Sequence, residues 1–218
     1  MDNYNNVHVL PKSQYLTSLH TKARNRNAEQ SEFVFYSDRI IRLLLEAASE
    51  LLPYTSHHIQ TPIGDIYNGT VLNTKLCGVS IIRAGESIEG EYRKMYPDSP
   101  AGKILIQRDK LTKLPHYYYS NLPDDIAERA ILLFEPMLAT GGSLAKAIDL
   151  LKEKGVPEEN IIVVNFLSSP VGLHRIMTSY PKIQLVTSSI ENGLNEDAFM
   201  NPGIGDFGDR YFGTYKPS

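Results

Sequence analysis

The sequence has one cysteine, no excess of positive charge and no long apolar run, and each shortage excludes a class of protein. Cys77 is the only cysteine among 218 residues, so no disulfide can form within the chain, and its apolar surroundings predict a buried thiol. The formal net charge is −3 and the isoelectric point is about 6.1, unlike the overall basic field of nucleic-acid-binding proteins. We therefore expect no nucleic-acid partner.

Signals for secretion, membrane insertion and zinc binding are missing as well. The first six residues contain neither the cationic nor the apolar region of a secretory signal, and no apolar stretch approaches the length of a membrane span. The six histidines show no zinc-ligand spacing with each other or with Cys77. We expect a cytoplasmic protein without a membrane partner.

The apolar pattern predicts an α/β fold. Consecutive apolar residues predict strands over residues 76–82, 103–107, 130–134, 161–167 and 183–187. Helical spacing predicts helices over residues 31–52, 123–128, 144–154 and 170–179, and turn residues predict a short hairpin over 61–71 with Asn68-Gly69 as a turn. Apolar runs that alternate with helices are typical of parallel strands covered on both faces. We expect a mostly parallel, twisted sheet with helices on both sides.

The chain divides unequally by composition. Residues 1–30 are polar and rich in asparagine, and they predict an extended N-terminal arm that packs on the body or on a partner. Residues 31–218 have the length of one ordinary globular domain. We therefore expect an arm and a single domain.

The stretch from Glu135 to Ser143 has the composition of a phosphate-binding turn. It follows a predicted strand, precedes a predicted helix and ends in Thr140-Gly141-Gly142-Ser143. The two glycines permit a tight turn, so amide groups and two hydroxyls can converge on one phosphate at a helix N-terminus. Glu135 is an acceptor for sugar hydroxyls or for a metal-bound water. These residues predict a ribose-phosphate site.

Three familiar motifs fail on their context. A P-loop requires a lysine after its last glycine, but Ser143 follows Gly142. Residues 203–208 match the dinucleotide pattern G-x-G-x-x-G, yet we predict no strand before them and no helix after them. Residues 206–208 spell Asp-Phe-Gly, a tripeptide that also occurs in protein kinases, but the sequence lacks the H-R-D loop and the V-A-I-K strand of that class. We expect neither a kinase nor a dinucleotide-binding protein.

Two arginines follow the ends of two neighbouring predicted strands. Parallel sheets bind ligands at the carboxyl ends of their strands, which is where Arg83 and Arg108 are placed. A guanidinium binds two oxygens in a bidentate fork, so the two arginines suit a diphosphate. The alternative is that each arginine pairs with an acidic neighbour, Glu86 or Asp109 respectively.

The segment 195–214 combines many glycines with several aromatic residues. The glycines argue against a core strand and the aromatic residues against disorder, so an ordered loop is predicted. Such a loop suits a planar base held by backbone groups, with a wall from Phe199 and Met200. A C-terminal turn that seals the sheet edge is the alternative.

Four segments together resemble the uracil phosphoribosyltransferase family. They are residues 83–85, residues 107–109, the phosphate-binding turn and residues 203–214, in that family's order and spacing. The likeness runs from about residue 33 to residue 214, and residues 103–109 are similar to the eukaryotic-type branch. It implies a type I phosphoribosyltransferase fold and a pentosyltransferase of pyrimidine salvage. The implied reaction converts uracil and 5-phosphoribosyl 1-diphosphate (PRPP) to UMP and diphosphate, with Mg²⁺ as cofactor.

The resemblance also implies roles for individual residues. The implied catalytic residues are Arg83, Arg108 and Asp206. The implied PRPP site consists of these three and of Glu135, Pro136, Met137, Leu138, Ala139, Thr140, Gly141, Gly142 and Ser143. Uracil would bind Met200, Gly205, Asp206 and Phe207, largely through main chain. Mg²⁺ would be held mainly through diphosphate and water, with Asp206 nearby.

Assembly and regulation are further implications of the resemblance. The family suggests a homodimer or homotetramer, with a flexible β-arm over residues 110–119 that covers the site or contacts a second subunit. A GTP effector site would use Arg39 and Arg129. Because Gln30 and Pro100 replace two basic residues of that site, GTP control is in doubt.

Two departures from the family bear on activity. Glu135 stands where aspartate is usual, which moves the carboxylate by about a bond length and in principle weakens ribose positioning. Asn201 stands where an apolar residue usually precedes the proline. Three functions stay open: the active transferase, a nucleotide-binding regulator without turnover, and a transferase for another base. Retention of the arginines, the turn and Asp206 favours the first.

Overall fold

A mostly parallel sheet forms the centre of the molecule. The computed structural model describes residues 4–108 and 115–214, and Arg108 for its backbone alone. In chain order its strands and α-helices are β1 (Val7–Val9), α1 (Gln14–Arg24), α2 (Gln30–Ser49), β2 (Tyr54–Gln60), β3 (Ile66–Leu72), β4 (Leu76–Ile82), α3 (Glu86–Met95), β5 (Ala101–Arg108), β6 (Pro115–Asn121), β7 (Ala130–Phe134), β8 (Met137–Leu138), α4 (Gly142–Glu153), β9 (Ile161–Ser168), α5 (Pro170–Ser179), β10 (Gln184–Ile190), β11 (Gly193–Leu194), β12 (Met200–Asn201) and α6 (Phe207–Phe212).

The strand order places the longest apolar runs in the middle. The main sheet runs β1-β10-β9-β7-β4-β5-β6, with β8 added to β9. The β5–β6 pair is antiparallel, and the other pairs of this sheet are parallel. Strands β2 and β3 form a separate antiparallel hairpin, and β11 and β12 form a second. All five predicted strands are therefore present, the outer ones slightly longer than expected.

Helices cover both faces of the sheet, as predicted. Every residue of β7 and β9 is buried. Leu132 packs with the side chains of α1, α2, α3 and α6, whereas its neighbour Leu133 packs with those of α4 and α5, because alternate residues of a strand point to opposite faces. Cys77 lies in the second set, where burial raises the pKa of its thiol to about 11. The α/β class and the buried cysteine are both confirmed.

The N-terminal segment is not the extended arm that its composition predicted. Strand β1 joins the sheet edge parallel to β10, and α1 begins after Ser13, whose hydroxyl accepts the amide of Leu16. Three buried residues, Leu16, Leu19 and Ala23, fix one face of α1 to the core. Their helical spacing was obscured by the polar residues between them. The division of the chain at residue 30 stays a prediction.

The hairpin turns at a different point from the one predicted. Strands β2 and β3 pair from Tyr54 with Leu72 to Gln60 with Ile66, and Gly64 lies in the turn at φ +95°. Asn68-Gly69 falls within β3 instead, so the turn predicted there is wrong. Gly64 has the left-handed backbone that a tight turn requires, and Gly69 does not adopt it.

Two helix predictions also require correction. The helix predicted over residues 123–128 is reduced to a single 3₁₀ turn at Ile126–Glu128. Helix α3 had no predicted counterpart, although it buries Ile88 and Tyr92 against the sheet. The helices predicted over 31–52, 144–154 and 170–179 correspond to α2, α4 and α5. Within the described ranges, no helix combines the length and the apolar content that a membrane span needs.

Candidate active site

The predicted ligand-binding edge is formed by the carboxyl ends of parallel strands. Strand β4 pairs with both β5 and β7, so the residues that follow these three strands leave the sheet at the same edge. Arg83 follows β4, Glu135 follows β7, and the segment from Glu191 onward follows β10. Chemically active residues from distant parts of the sequence are therefore brought to one edge.

The chain after β7 is tied to β9 by backbone bonds. The carbonyl oxygen of Pro136 accepts the amides of Phe166 and Leu167, and Met137 and Leu138 add to β9 as β8. The buried side chain of Asn165 donates from Nδ2 to the carbonyl oxygen of Glu135 at 2.7 Å. The predicted phosphate-binding turn thus starts from a rigid position. Asn165 was not singled out by sequence because its role depends on a residue 30 positions away.

The glycine pair forms the start of α4. Gly141 has φ +75° and is the N-cap residue, so it cannot cap the helix with a side chain. This left-handed φ is the reason for glycine, since residues other than glycine rarely adopt it, and a Cβ there would also lie 3.3 Å from the Ile176 side chain. The first turn of α4 carries no acidic residue, and its amides and dipole favour an anion. The predicted phosphate cradle has the expected strand, turn and helix.

A further cation lies beside this turn. The Nη1 atom of Arg175, on α5, is 3.4 Å from the carbonyl oxygen of Thr140. The same atom is 3.7 Å from the point where a Cβ on Gly142 would lie. Sequence reasoning missed Arg175 because it lies inside a predicted helix rather than after a strand. Positive charge from α5 adds to that of the helix terminus.

Arg83 is held by the C-terminal segment rather than by its own helix. Its Nη1 donates to Thr214 Oγ1 at 2.6 Å, and its Nη2 donates to Asp209 Oδ1. The hydrogen bond from Thr214, followed by the one from Arg83, lowers the pKa of Asp209. Glu86, the partner considered for Arg83, accepts instead from Lys103 Nζ at 2.5 Å. That alternative is therefore wrong, and Asp209 and Thr214 are site residues that sequence reasoning missed.

The turn after β4 requires glycine at position 85. A Cβ there would lie 2.4 Å from the carbonyl oxygen of Phe134 and 2.7 Å from the backbone nitrogen and oxygen of Ile81. These are backbone atoms of β4 and β7, which cannot move without disturbing the sheet. Gly85 therefore lets the turn after β4 pack against the end of β7.

The second predicted arginine ends β5. The backbone of Arg108 pairs with Pro115 of β6, while its side chain lies outside the described residues. Asp109 and residues 110–114 of the predicted β-arm lie outside them too. Strand β6 contains the rest of that arm, and Pro115 Cγ is 3.6 Å from the point where a Cβ on Gly142 would lie. The β5–β6 hairpin thus reaches the phosphate-binding turn.

The base loop, which we define as residues 200–207, is built mainly from backbone. Met200 is buried and pairs with Leu194, and the peptide bond between Asn201 and Pro202 is cis. Gly203 and Gly205 have φ values of +63° and +78°. Gly205 and Asp206 are exposed, so this part of the loop is accessible to a planar ligand. Of the two residues predicted to form a wall beside the base, Met200 is buried in the core and Phe199 is 48% exposed.

The end of the base loop is anchored by a short helix that was not predicted. Asp206 Oδ1 accepts the amide of Asp209 at 2.8 Å and caps α6. The Phe207 ring is buried between Phe33, Phe166 and Tyr211, with centroid distances of 5.3, 5.0 and 5.8 Å. Only the main chain of Phe207 can therefore face a ligand. Helix α6 begins within the G-x-G-x-x-G pattern, but the preceding β12 lies outside the parallel sheet, so residues 200–212 do not form the strand-turn-helix unit of dinucleotide-binding proteins.

A cavity of about 830 Å³ adjoins the base loop. Its lining includes Arg24, residues 26–30 at the junction of α1 and α2, and residues 202–206 of the base loop. Arg210 donates across it to the carbonyl oxygens of Ile204 and Asn25 at 2.8 and 2.7 Å. The N-terminal segment therefore belongs to the surroundings of the site.

The two arginines predicted for a GTP site make local contacts. The Arg39 guanidinium lies 3.5 Å from the centre of the Phe35 ring. Arg129 donates to both carboxylate oxygens of Asp125 at 2.7 and 2.9 Å, and the pKa of Asp125 is lowered, with that hydrogen bond as the main cause. Gln30, a departure from that site, donates to the carbonyl oxygen of Tyr211. A role for Arg129 in effector binding would require it to leave Asp125.

The side chains that could bind a metal ion are scattered rather than grouped in the described parts of the chain. In the described parts of the chain, no three His, Cys, Asp or Glu side chains are grouped so that they could hold a metal ion. Asp206 is an exposed carboxylate at the base loop, with Oδ1 bonded to the Asp209 amide. This arrangement fits a cation that receives most of its ligands from a substrate and from water.

Comparison with known proteins agrees with this geometry. The family model described as "Uracil phosphoribosyltransferase" matches residues 9–214. The uracil phosphoribosyltransferase of Dictyostelium discoideum is 48% identical over 96% of this chain and 97% of that protein. Uridine kinase-like protein 4 of Arabidopsis thaliana is 46% identical over 97% of this chain, which spans only 45% of that protein. The solved structure of AQ2163 from Aquifex aeolicus has a TM-score of 0.83 at 25% identity, over 94% of this chain and 97% of that one.

Proposed function

The chain belongs to the uracil phosphoribosyltransferase family, and from this premise we propose that it converts uracil and PRPP to UMP and diphosphate. It is then a pentosyltransferase that serves pyrimidine salvage. One observation carries the proposal: Arg83, the phosphate-binding turn and the segment that leads through β11 to the base loop follow β4, β7 and β10, whose carboxyl ends lie at the same edge of the sheet. A phosphate site, a cation and a base site are what this reaction requires.

The ribose 5-phosphate end of PRPP is assigned to the turn from Glu135 to Ser143. The 5-phosphate would accept amide hydrogen bonds from the start of α4, where the dipole and the Arg175 charge favour an anion. Glu135, at the start of the turn, would bind the ribose hydroxyls. Its backbone is fixed by the 2.7 Å bond from Asn165, so the carboxylate starts from a defined point.

The diphosphate end is assigned to Arg83, with Arg108 as its expected partner. Arg83 would exchange Asp209 and Thr214 for diphosphate oxygens, which is feasible because the Arg83 and Asp209 side chains are 43% and 37% exposed. Mg²⁺ is the proposed cofactor, bound mainly by diphosphate and water with Asp206 nearby, and it would neutralise charge on the leaving group. Asp206 would orient the metal-bound water through its exposed carboxylate.

Uracil is assigned to the base loop. The main chain of Gly205, Asp206 and Phe207 would supply the donors and acceptors for the edge of the pyrimidine, and Met200 lies at the start of the loop. Because the Phe207 side chain is buried among other rings, its backbone position is well defined. The base is thereby oriented toward the sugar.

The chemistry then follows from position and charge. The bond from the anomeric carbon to diphosphate would break with oxocarbenium character, and the uracil nitrogen would form the new bond to that carbon and release its proton to solvent. Arginine donors stabilise the departing oxygens, and the turn keeps the sugar in line. No covalent nucleophile from the protein is needed.

A base-by-base assay tests the proposal. The protein would be incubated with PRPP, Mg²⁺ and each base in turn, and nucleotide and diphosphate would be measured. UMP formed with uracil alone supports the proposal. Tight UMP binding without product would instead indicate a nucleotide-binding regulator, and product with a purine would indicate another base specificity.

Other expectations remain predictions. They are a cytoplasmic location, a homodimer or homotetramer, contact of the β-arm with a second subunit, and a GTP effector. The engagement of Arg129 by Asp125 argues against the last. Sedimentation with and without GTP, together with activity at saturating PRPP, tests assembly and activation in one series.

A further inference from the structure

A buried ion pair connects the N-terminal helix to the end of β10. Glu191, only 3% exposed, accepts from Arg24 Nη1 at its Oε2 and from Arg24 Nη2 at its Oε1, both at 2.7 Å. Such a bidentate fork fixes the relative position and orientation of the two side chains. The pair thus links α1 to the main sheet over 167 positions of sequence.

Both partners also bind Gly203, in the base loop. The amide of Gly203 donates to Glu191 Oε2 at 2.7 Å, and the carbonyl oxygen of Gly203 accepts from Arg24 Nη1 at 2.9 Å. Both backbone groups of this residue are thereby held by the ion pair. A Cβ on Gly203 would lie 2.1 Å from the Met200 carbonyl oxygen, so the backbone is closely fitted here.

The remaining groups of the pair are fixed by the body of the protein. Ser189 Oγ donates to Glu191 Oε1 at 2.9 Å, and the Glu191 amide donates to the carbonyl oxygen of Ser168 at 2.8 Å. Arg24 Nε donates to His20 Nδ1 at 3.3 Å. Burial, followed by the Arg24 charge, lowers the pKa of His20 to about 4, so the ring is neutral and can accept this bond.

We propose that Arg24 and Glu191 are positioning residues that set the base loop for uracil, so that α1 controls base binding without contacting the base. Gly203 lies two positions before Gly205, the first of the three loop residues whose main chain is proposed to bind uracil. A shift of Gly203 therefore moves their backbone donors and acceptors directly. The inference rests on the proposed function.

The alternative is a purely structural pair, and the chain offers a matched control. Glu91, on α3, is 4% exposed and pairs with Arg42 Nη2 of α2 at 2.7 Å and with Lys94 Nζ of its own helix at 2.6 Å, so its cations lie away from the base loop. Glu191→Gln and Glu91→Gln each remove one buried carboxylate charge. Both changes lower stability by this mechanism, and only the first is expected to act on uracil.

The test is steady-state kinetics of the whole protein with each substrate varied. For Glu191→Gln we expect KM for uracil to rise, and kcat/KM for uracil to fall, about 10-fold to 100-fold, as for a displaced binding group, with KM for PRPP changed less than about twofold. Glu91→Gln should leave the ratio of the two KM values unchanged. Arg24→Lys, which keeps the charge but loses the fork, should give an intermediate loss for uracil and provides a milder variant.

The outcomes separate this inference from the proposed function. If the wild type is active but the Glu191 and Arg24 variants raise the KM values for uracil and PRPP equally, or raise neither, the inference is overturned and the proposed function stands. An inactive wild type overturns the proposed function. In that case calorimetry with UMP and the same variants decides the inference, and equal UMP affinity in wild type and Glu191→Gln overturns it.

Discussion

Replacing Arg83 should affect catalysis far more than replacing Asp209, the residue that holds it. In the structure Arg83 donates to Asp209 and, at 2.6 Å, to Thr214. The proposed reaction requires the same guanidinium at the leaving diphosphate. The two roles predict losses of kcat of different size.

The contact with the tail contributes little to stability. The Arg83 and Asp209 side chains are 43% and 37% exposed, and pairs of that exposure contribute about 0–1 kcal/mol. Loss of Asp209 should therefore change kcat by no more than about fivefold. Loss of a preorganised donor to developing charge costs about 2.7–4 kcal/mol, or roughly 10² to 10³ in kcat. Arg83→Ala is expected in that range.

The assay measures kcat and KM for PRPP in wild type, Arg83→Ala, Asp209→Ala and the double variant, at saturating uracil. The double variant should resemble Arg83→Ala. Equal losses in both single variants, with no further loss in the double, would mean that Arg83 acts only by holding the tail. That result would refute the assignment of Arg83 to diphosphate.

Three further predictions concern stability and turnover. Gly85→Ala should destabilise the protein by about 1–3 kcal/mol in thermal unfolding, because its Cβ meets the Phe134 carbonyl, whereas Gly90→Ala, with nothing within 4 Å, should be neutral or stabilising. The pKa of Glu191 is lowered from its ordinary value of 4.5, so its stabilisation is present above that pH and is lost as the pH falls through the folded pKa. Acid unfolding curves of Glu191→Gln should therefore be flatter below pH 4.5 than those of wild type, and parallel curves would contradict this. Glu135→Asp should give equal or higher kcat, and a large loss would contradict our explanation of that substitution.

The parts of the site that sequence could predict are those whose chemistry is local. The run from Glu135 to Ser143 carries its strand, turn and helix start within a few residues, and the structure confirms this order. The residues that follow the strand ends could also be predicted, because a parallel sheet brings the carboxyl ends of its strands together. Arg83 is an example.

The contacts that sequence could not predict are long-range. Arg83 binds Asp209 across 126 positions, and Asn165 supports Glu135 across 30. Helix α1 escaped prediction because its three buried residues are separated by polar ones, so composition outweighed spacing. The hairpin turn was assigned to Asn68-Gly69 because β2 is exposed throughout and β3 along most of its length, so the two strands give no apolar signal for register.

The most direct test of the central claim is a crystal structure of the protein with PRPP and Mg²⁺. The account predicts the 5-phosphate at the start of α4, within hydrogen-bond distance of the amides of Gly142 and Ser143. It predicts the diphosphate against Arg83, with Asp209 released. A 5-phosphate bound away from α4, or an Arg83 that still binds Asp209 beside an ordered diphosphate, would contradict it.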